Sequence, residues 1–418
     1  VQVIVQKFGG TSVQSEESRK HVIKHIRQAL TKDKDSKVVV VVSALGRKPK
    51  PYATDSLLQL VDYPTNYNSK RELDLLMSCG ETIASVVLSN ELKKHNISSM
   101  ALTGAQAGIV TNNEFNHAKI NHINQDRIFK EFKDFDVIVV AGFQGQTEDG
   151  EITTIGRGGS DTTATALGVA LQAKRVEIFT DVNGIMTADP RVVKNAKPLN
   201  VITYDEISHL AYHGAKVIHP RAVEFAMQAK IPLRIRSTYE EDGGTIVTSG
   251  KSYQRKRPLN DRVVTGIAHQ SELTQIRIQT KEEAYRLQSE VFKAMADAGI
   301  SVDFINISST EVNYTIPQHV TTKAVEILNE LGFYPEVLKE CAKVSVVGAG
   351  MTGIPGVASK IVQSLTDADI QILQSADSFT TIWVLIYEKD LFKAVNSLHD
   401  AFELSKVNYI KQDFVIER

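Results

Sequence analysis

Cysteine is nearly absent. The 418-residue chain has two, Cys79 and Cys341, and neither stands in a Cys-x-x-Cys or Cys/His pattern. This argues against a disulfide framework and a cysteine-built zinc site, and two lone thiols suit a reducing compartment. An excess of either charge is missing too: 48 Lys and Arg oppose 49 Asp and Glu, for a net charge of −1. Nothing in that balance favours nucleic acid or an anionic membrane as partner, although one cleft can still hold a local charge. No apolar run approaches the ~18 residues of a membrane span. The opening segment Val1–Val5 is too short, and lacks the basic flank, for a signal peptide, so the expected address is cytoplasmic. There is no G-x-x-x-x-G-K-[ST] segment, which argues against a P-loop kinase. The eleven histidines form no ligand cluster; His21 and His25 lie four apart on a predicted helix with no third ligand, and surface positions are expected. The single tryptophan, Trp383, is expected to pack on a strand.

What is present is an ordinary globular composition, 42% hydrophobic and 23% charged. At roughly 150 residues per domain, the length suggests two or three domains. Up to residue 248 the pattern alternates strand and helix. Val3–Lys7, the five valines Val38–Val42, Asp136–Ala141, Val176–Thr180 and Leu233–Arg236 read as strands, most of them apolar enough to be buried on both faces. Glu16–Leu30, capped by Ser15, Leu73–Lys94, Asp161–Gln172 and Arg221–Ala229 read as helices. Such alternation predicts an α/β unit, a mainly parallel sheet flanked by helices, over 1–248. Residues 249–262, polar and holding Pro258, read as a linker.

Beyond the linker the chain repeats itself. Lys323–Leu328 matches Lys393–Leu398, Val291–Ile300 matches Ile361–Ile370, and Tyr314–Ile316 matches Val384–Ile386, all at an offset of 70 residues without gaps. Each copy reads strand, helix, strand, strand, helix, a small ferredoxin-like α+β unit. The copies are assigned to 263–340 and 341–418, and Tyr409–Ile416 is left as a closing strand for either.

Four segments of the first unit carry chemistry. Lys7-Phe8-Gly9-Gly10-Thr11-Ser12 follows a strand; two glycines let backbone N–H groups approach a phosphate, and a lysine supplies charge. A plain strand-to-helix turn explains the same residues. Gly156-Arg157-Gly158-Gly159-Ser160-Asp161 opens a helix, where anions bind, and Arg157 can take a carboxylate with two parallel hydrogen bonds. Thr180-Asp181 and the loop Met186–Arg191 follow a buried strand, where open α/β sheets bind ligands; a surface loop is the plainer alternative. Cys79-Gly80-Glu81 places a glycine inside a helix at a cost of about 1 kcal/mol, a sign of close packing or a nearby ligand, while Glu81 alone fits a solvated helix face.

Together, in this order, these segments resemble the aspartate kinase family of the amino-acid kinase superfamily. The resemblance rests on Lys7–Ser12, Val41–Ala44, Cys79–Glu81, Gly156–Asp161, Thr180-Asp181 and Gly214–Pro220, and it covers nearly the whole chain. The repeat resembles the tandem ACT regulatory domains of that family. The resemblance implies ATP and Mg2+ as cofactors, the metal being held through the ATP phosphates rather than by a protein site, and L-aspartate as acceptor. It implies that Lys7, Arg157 and Asp181 are catalytic. It assigns Lys7, Phe8, Gly9, Gly10, Thr180, Asp181, Met186, Asp189, Arg191 and Lys216 to ATP, and Ser43, Thr54, Glu81, Arg157, Gly158 and Ser160 to aspartate. Arg157 would take a carboxylate and Glu81 the α-ammonium. It further implies a homo-oligomer joined through the ACT region and inhibition by lysine, diaminopimelate or threonine, with Asp303, Asn306, Met351, Gly353 and Val357 at the effector contacts. Ser375–Ser378 stands where the family often has Ser-Thr-Ser-Glu, which leaves the effector open.

Three competing readings remain. Gly348–Gly353 fits G-x-G-x-x-G after a strand, with Asp377 downstream, as a dinucleotide site would; too little chain follows it for a full dinucleotide domain. The same fold can phosphorylate N-acetylglutamate, glutamate, carbamate or UMP. The repeats alone would make an amino-acid sensor without catalysis.

Overall fold

The structure is a computed structural model, described over residues 2–32, 35–65, 67–214, 217–241, 243–249, 263–279, 284–308, 310–349, 351 and 353–407. Lys216, most of the linker and the closing segment Tyr409–Ile416 lie outside those residues.

Alternating valines build the first sheet. In β2 (Ser36–Val42), Val38, Val40 and Val42 join one core cluster while Val39 and Val41 join another, because successive side chains leave a strand on opposite faces. The first cluster packs under α2 (Glu16–Lys32) and α4 (Lys70–Lys94). The second packs under α6 (Gly159–Ala170), α7 (Tyr204–Tyr212) and α8 (Pro220–Ala229). Short helices α1 (Gly10–Val13), α3 (Thr54–Gln59) and α5 (Asp126–Glu131) complete this unit. The sequence places α2, α4, α6 and α8 within a few residues of their observed ends, and α7 is not anticipated. α4 starts earlier than predicted because Ser69 and Glu72 form a reciprocal capping box.

The sheet contains β1 (Gln2–Phe8), β2, β3 (Ser99–Leu102), β6 (Val137–Ala141), β9 (Arg175–Thr180), β10 (Val201–Thr203), β11 (Leu233–Ser237) and β12 (Thr245–Thr248), in the order β10-β12-β11-β9-β1-β2-β6-β3. Of these pairings β11–β12 is antiparallel and the rest are parallel. Four short strands, β4 (Ile109–Thr111), β5 (Ile120–Ile123), β7 (Gln144–Gln146) and β8 (Ile152–Thr154), form a second small sheet.

The C-terminal unit shows the duplication directly. Its elements are β13 (Gly266–Gln279), α9 (Ala284–Asp297), β14 (Asp303–Ile307), β15 (Glu311–Pro317) and α10 (Thr321–Glu330), then β16 (Glu336–Val347), α11 (Val357–Asp367), β17 (Gln374–Asp377), β18 (Thr381–Tyr387) and α12 (Leu391–Ala401). β13 and β16, β15 and β18, and α10 and α12 each begin 70 residues apart. The copies share one six-stranded sheet, β14-β15-β13-β16-β18-β17, joined by the antiparallel pair β13–β16. β16 is antiparallel to both neighbours, which removes the parallel strand–helix–strand frame that a dinucleotide site at Gly348 requires. Gly348 has a packing reason instead: a Cβ there would lie 2.1 Å from the Val263 carbonyl oxygen.

One residue expected at the surface turns out differently, and one expected to pack does more. His25 is buried, its Nε2 2.9 Å from the Thr238 carbonyl oxygen and its ring against Phe179. Burial and the nearby Arg236 guanidinium lower it to about 4, so it is held neutral. Trp383 packs as expected but also donates from Nε1 to His213 Nε2 at 2.9 Å, fastening the second repeat to the end of α7.

Candidate active site

Because β11, β9, β1, β2, β6 and β3 run parallel, their carboxyl ends share one edge of the sheet. Gly9–Gly10 leave β1 there, Ser43–Ala44 leave β2, Gly142–Phe143 leave β6 and Thr180–Asp181 leave β9. A cleft of about 460 Å3 opens at this edge. It gathers Lys7, Gly10, Ser43, Thr54, Glu81, Arg157, Gly158 and Ser160 from five separate stretches of sequence.

Close packing fixes its floor. A Cβ on Gly10 would lie 2.4 Å from the Ala44 carbonyl oxygen, and the Gly46 N–H donates to the Gly10 carbonyl at 3.0 Å. A Cβ on Gly80 would meet the Ala44 Cβ at 2.8 Å, so the mid-helix glycine lets α4 press against the Ser43–Ala44 turn. One residue on, Glu81 is buried rather than solvated. Its Oε1 accepts from the Ala44 N–H at 3.1 Å and its Oε2 has no partner. Burial pushes its carboxyl up to about 8, against the pull of the Ala44 hydrogen bond. Glu81 is therefore a buried acid facing the cleft, with no cation beside it among the described residues.

The wall is the start of α6. Gly156 and Gly158 take positive φ (84° and 67°), turning the chain so that Arg157 is exposed on the cleft between them. Ser43 Oγ donates to Ser160 Oγ at 2.9 Å. Lys7 Nζ lies 2.7 Å from Asp161 Oδ1, both side chains largely buried. Asp161 sits in the first helical turn, where a carboxylate meets the positive helix end, and Lys7 offsets its charge. The cleft thus carries two cations, one lone acid and a helix amino terminus.

Several contributing residues were not singled out from the sequence. Asp161 holds Lys7, and its Oδ2 accepts from the His219 N–H at 3.3 Å. Asp74 is fully buried and accepts from Asn116 N and Nδ2 and from Thr154 N and Oγ1, at 2.5 to 3.1 Å. It clamps the Asn116–His117 wall to the strand end that leads into Gly156. Asp74 and Glu81 lie seven apart on one helix, so a carboxylate in phase with Glu81 was the available signal.

Of the residues expected at a nucleotide, Lys7 and Gly10 line the cleft, Thr180 and Asp181 stand at the carboxyl end of β9 on the same sheet edge, and Lys216 lies outside the described residues. Phe8 is fully buried and stacked on Phe179 at 4.5 Å, which leaves only its backbone near the cleft. Thr180 Oγ1 donates to Asp181 Oδ1 at 3.1 Å. Asp189 is forked by Arg191, with Nη2 at 2.7 Å, and this hydrogen bonding holds its carboxyl below the usual range. The 181–199 loop is more than surface: Ile185, Thr187, Ala188 and Val193 are buried. In the repeats, Asp303 pairs with the buried Lys343, Asn306 is exposed, Gly353 has positive φ, and Met351 and Val357 are buried in the core of the second copy.

Comparison with known proteins matches this anatomy. The amino acid kinase family matches residues 2–237 and the ACT domain matches residues 336–400. The chain is 56% identical over 406 residues to aspartokinase 1 of Bacillus subtilis, covering 97% of this chain and all of that one. Its fold is similar to that of E. coli aspartokinase III in complex with aspartate and ADP, with a TM-score of 0.78, 25% identity, and coverage of 96% of this chain and 99% of that one. The same E. coli enzyme with lysine and aspartate gives a TM-score of 0.73 at the same identity and coverage. With the amino acid kinase family matching more than half of the chain and an aspartokinase 56% identical to it from end to end, the chain belongs to the aspartokinase family.

Proposed function

We propose that this chain transfers the γ-phosphoryl group of ATP to the β-carboxylate of L-aspartate, giving 4-phospho-L-aspartate and ADP. One observation narrows the acceptor to an amino acid, and the similarity to aspartokinases favours aspartate over glutamate. The cleft pairs an exposed arginine with a buried acid whose second oxygen is unpartnered. A ligand with both a carboxylate and an ammonium answers both groups. N-acetylglutamate, carbamate and UMP bring no ammonium and would leave Glu81 unanswered. An ammonium at Glu81 favours its ionised form, so aspartate would enter with release of a proton.

The chemistry needs no general base, because the β-carboxylate is ionised near neutral pH. A carboxylate oxygen attacks the γ-phosphorus, the bond to the bridging oxygen of ADP breaks, and the electron pair leaves with ADP. The protein aligns two anions and offsets their repulsion. Lys7 and the Gly9–Gly10 N–H groups face the transferring phosphate; Arg157, Ser43, Thr54, Gly158 and Ser160 hold aspartate. Thr180, Asp181, Met186, Asp189, Arg191 and Lys216 are assigned to the nucleotide. Mg2+ carried on the phosphates supplies further charge neutralisation, and Asp181, exposed at the end of β9, suits a magnesium-bound water.

Arg157→Ala tests the acceptor. Loss of a charge-assisted pair costs about 1.5–3 kcal/mol, so the KM for aspartate should rise about 10- to 150-fold while that for ATP changes little. Normal aspartate saturation would remove Arg157 from this role. Phosphorylation assays across glutamate, N-acetylglutamate, carbamate and UMP separate the other acceptors, and no turnover with any of them or with aspartate would favour the pure sensor.

The product is an acyl phosphate, and we place the reaction as the first step toward lysine and its precursor diaminopimelate, threonine and methionine. Lysine, diaminopimelate or threonine is the proposed inhibitor, acting on a homo-oligomer joined through the ACT region. Support comes from the ACT match and from the lysine complex of the E. coli enzyme. At least one of the three should lower activity and shift the melting temperature; inertness of all three would refute it.

A further inference from the structure

The back of the 181–199 loop is built into the second repeat. Thr187 and His399 of α12 are both fully buried, and Thr187 Oγ1 lies 3.0 Å from His399 Nε2. The hydroxyl also accepts from the Lys197 N–H at 2.9 Å, and it either donates to Nε2 or takes a second hydrogen bond from it, according to the imidazole tautomer. Burial favours the neutral imidazole, which can serve as either partner of that hydrogen bond. The Thr187 backbone is used as well: its N–H donates to the Lys197 carbonyl and its carbonyl accepts from the Ile267 N–H of β13, each at 2.8 Å. One turn earlier on α12, Asn396 Nδ2 donates to the Val192 carbonyl at 3.0 Å. Ala188 and Val193 lie in the same apolar cluster as Val395 and Leu398.

We propose that His399 is a positioning residue for phosphoryl transfer, fixing the Thr187 hydroxyl and thereby the Met186–Arg191 face that meets the nucleotide. This rests on the nucleotide assignment made above. Met186 and Asp189 flank Thr187 closely in the chain, while the Arg191 side chain is 82% exposed, so the front of the loop is open and its back is held by α12. Linkage is reciprocal: a nucleotide that orders the loop must also steady α12.

The test uses the full chain. His399→Phe keeps a buried ring and removes the hydrogen-bond partner; His399→Gln restores a partner near the Nε2 position, its amide able to donate or accept; Thr187→Val removes the hydroxyl from the other side and serves if His399→Phe does not fold. His399→Phe and Thr187→Val should raise the KM for ATP about 10-fold, with the KM for aspartate within about two-fold, and His399→Gln should recover most of the loss. Hydrogen exchange with Mg·ADP should slow in peptides covering 186–193 and 395–400 of the wild type, and the second effect should vanish in His399→Phe. Protection of 186–193 with an unchanged KM for ATP in folded His399→Phe and Thr187→Val overturns this inference alone. No protection of 186–193 in the wild type overturns the nucleotide assignment and this inference together.

Discussion

Lys7→Ala should lower the turnover of the proposed phosphoryl transfer at least about 100-fold, equivalent to about 2.7 kcal/mol of transition-state stabilisation. Lys7 ends β1 beside the two glycines, and its ammonium lies 2.7 Å from Asp161. Two effects add in the variant. The cation that would face the γ-phosphoryl oxygens is gone, and the Asp161 carboxylate stays in the cleft with less to offset it. Both repel the incoming phosphates. Lys7→Arg should rescue little, because a planar fork does not replace a compact ammonium. Single-turnover rates, taken with a melting curve to establish folding, decide the matter. A folded Lys7→Ala protein at wild-type turnover would take Lys7 out of the mechanism.

The second large effect is on stability. Glu177 lies in register between Gln6 of β1 and Arg234 of β11, in a polar cluster on the sheet face that also carries Ile4, Phe8 and Phe179. Arg175 Nε lies 3.2 Å from Glu177 Oε1, Arg236 lies at 3.6 Å, and Gln6 Nε2 donates to Oε2 at 2.7 Å. Burial pushes the carboxyl up, but the guanidinium groups and Gln6 outweigh it and bring it down to about 2. Glu177→Gln takes from these arginines the carboxylate they share, and removing one partner of a buried ion pair costs about 3–5 kcal/mol. Chemical denaturation at neutral pH should show that loss; a drop below about 1 kcal/mol would mean the cluster is not load-sharing as described.

The sign with pH follows from the same group. Its value is lower in the folded state than the ordinary 4.5, so its contribution is complete above that pH and disappears as pH falls through about 2. His25, lowered from 6.5 to about 4, is neutral in the fold, so its contribution is complete above 6.5 and is lost as pH falls toward 4. On acidification His25 and then Glu177 should therefore each withdraw stability in overlapping steps, offset between about pH 8 and 4.5 by Glu81, whose raised carboxyl acts with the opposite sign. In Glu177→Gln the lower step should disappear and the upper one persist.

What could be read early follows from what a chain states locally. The valine run gave both faces of the sheet because strand geometry has period two. The duplication was legible because equal spacing survives changes of residue, and paired elements do begin 70 residues apart. Glycines at Gly9–Gly10 and Gly156–Gly159 marked turns where backbone must pass close to a ligand or another chain segment. Glu81, Asp74 and His25 were harder. Each sits on a helix among other polar residues, and whether it meets water or protein depends on a partner far away in sequence. Glu81 is closed in by the Ser43–Ala44 turn, Asp74 by Asn116 and Thr154, His25 by Thr238.

By itself, then, the sequence determined the alternating sheet, the repeat, the glycine turns and the family, all of which are written in short-range periodicity and in motifs of a few residues. Tertiary structure alone decided that Lys7 would be paired with Asp161, that one acid on α4 would be buried facing the cleft, and that the 181–199 loop would be anchored on α12 rather than left as surface. These depend on burial and on contacts between residues up to 212 apart in the chain, which no local pattern encodes, because the charge state and orientation of a side chain are set by what packs around it.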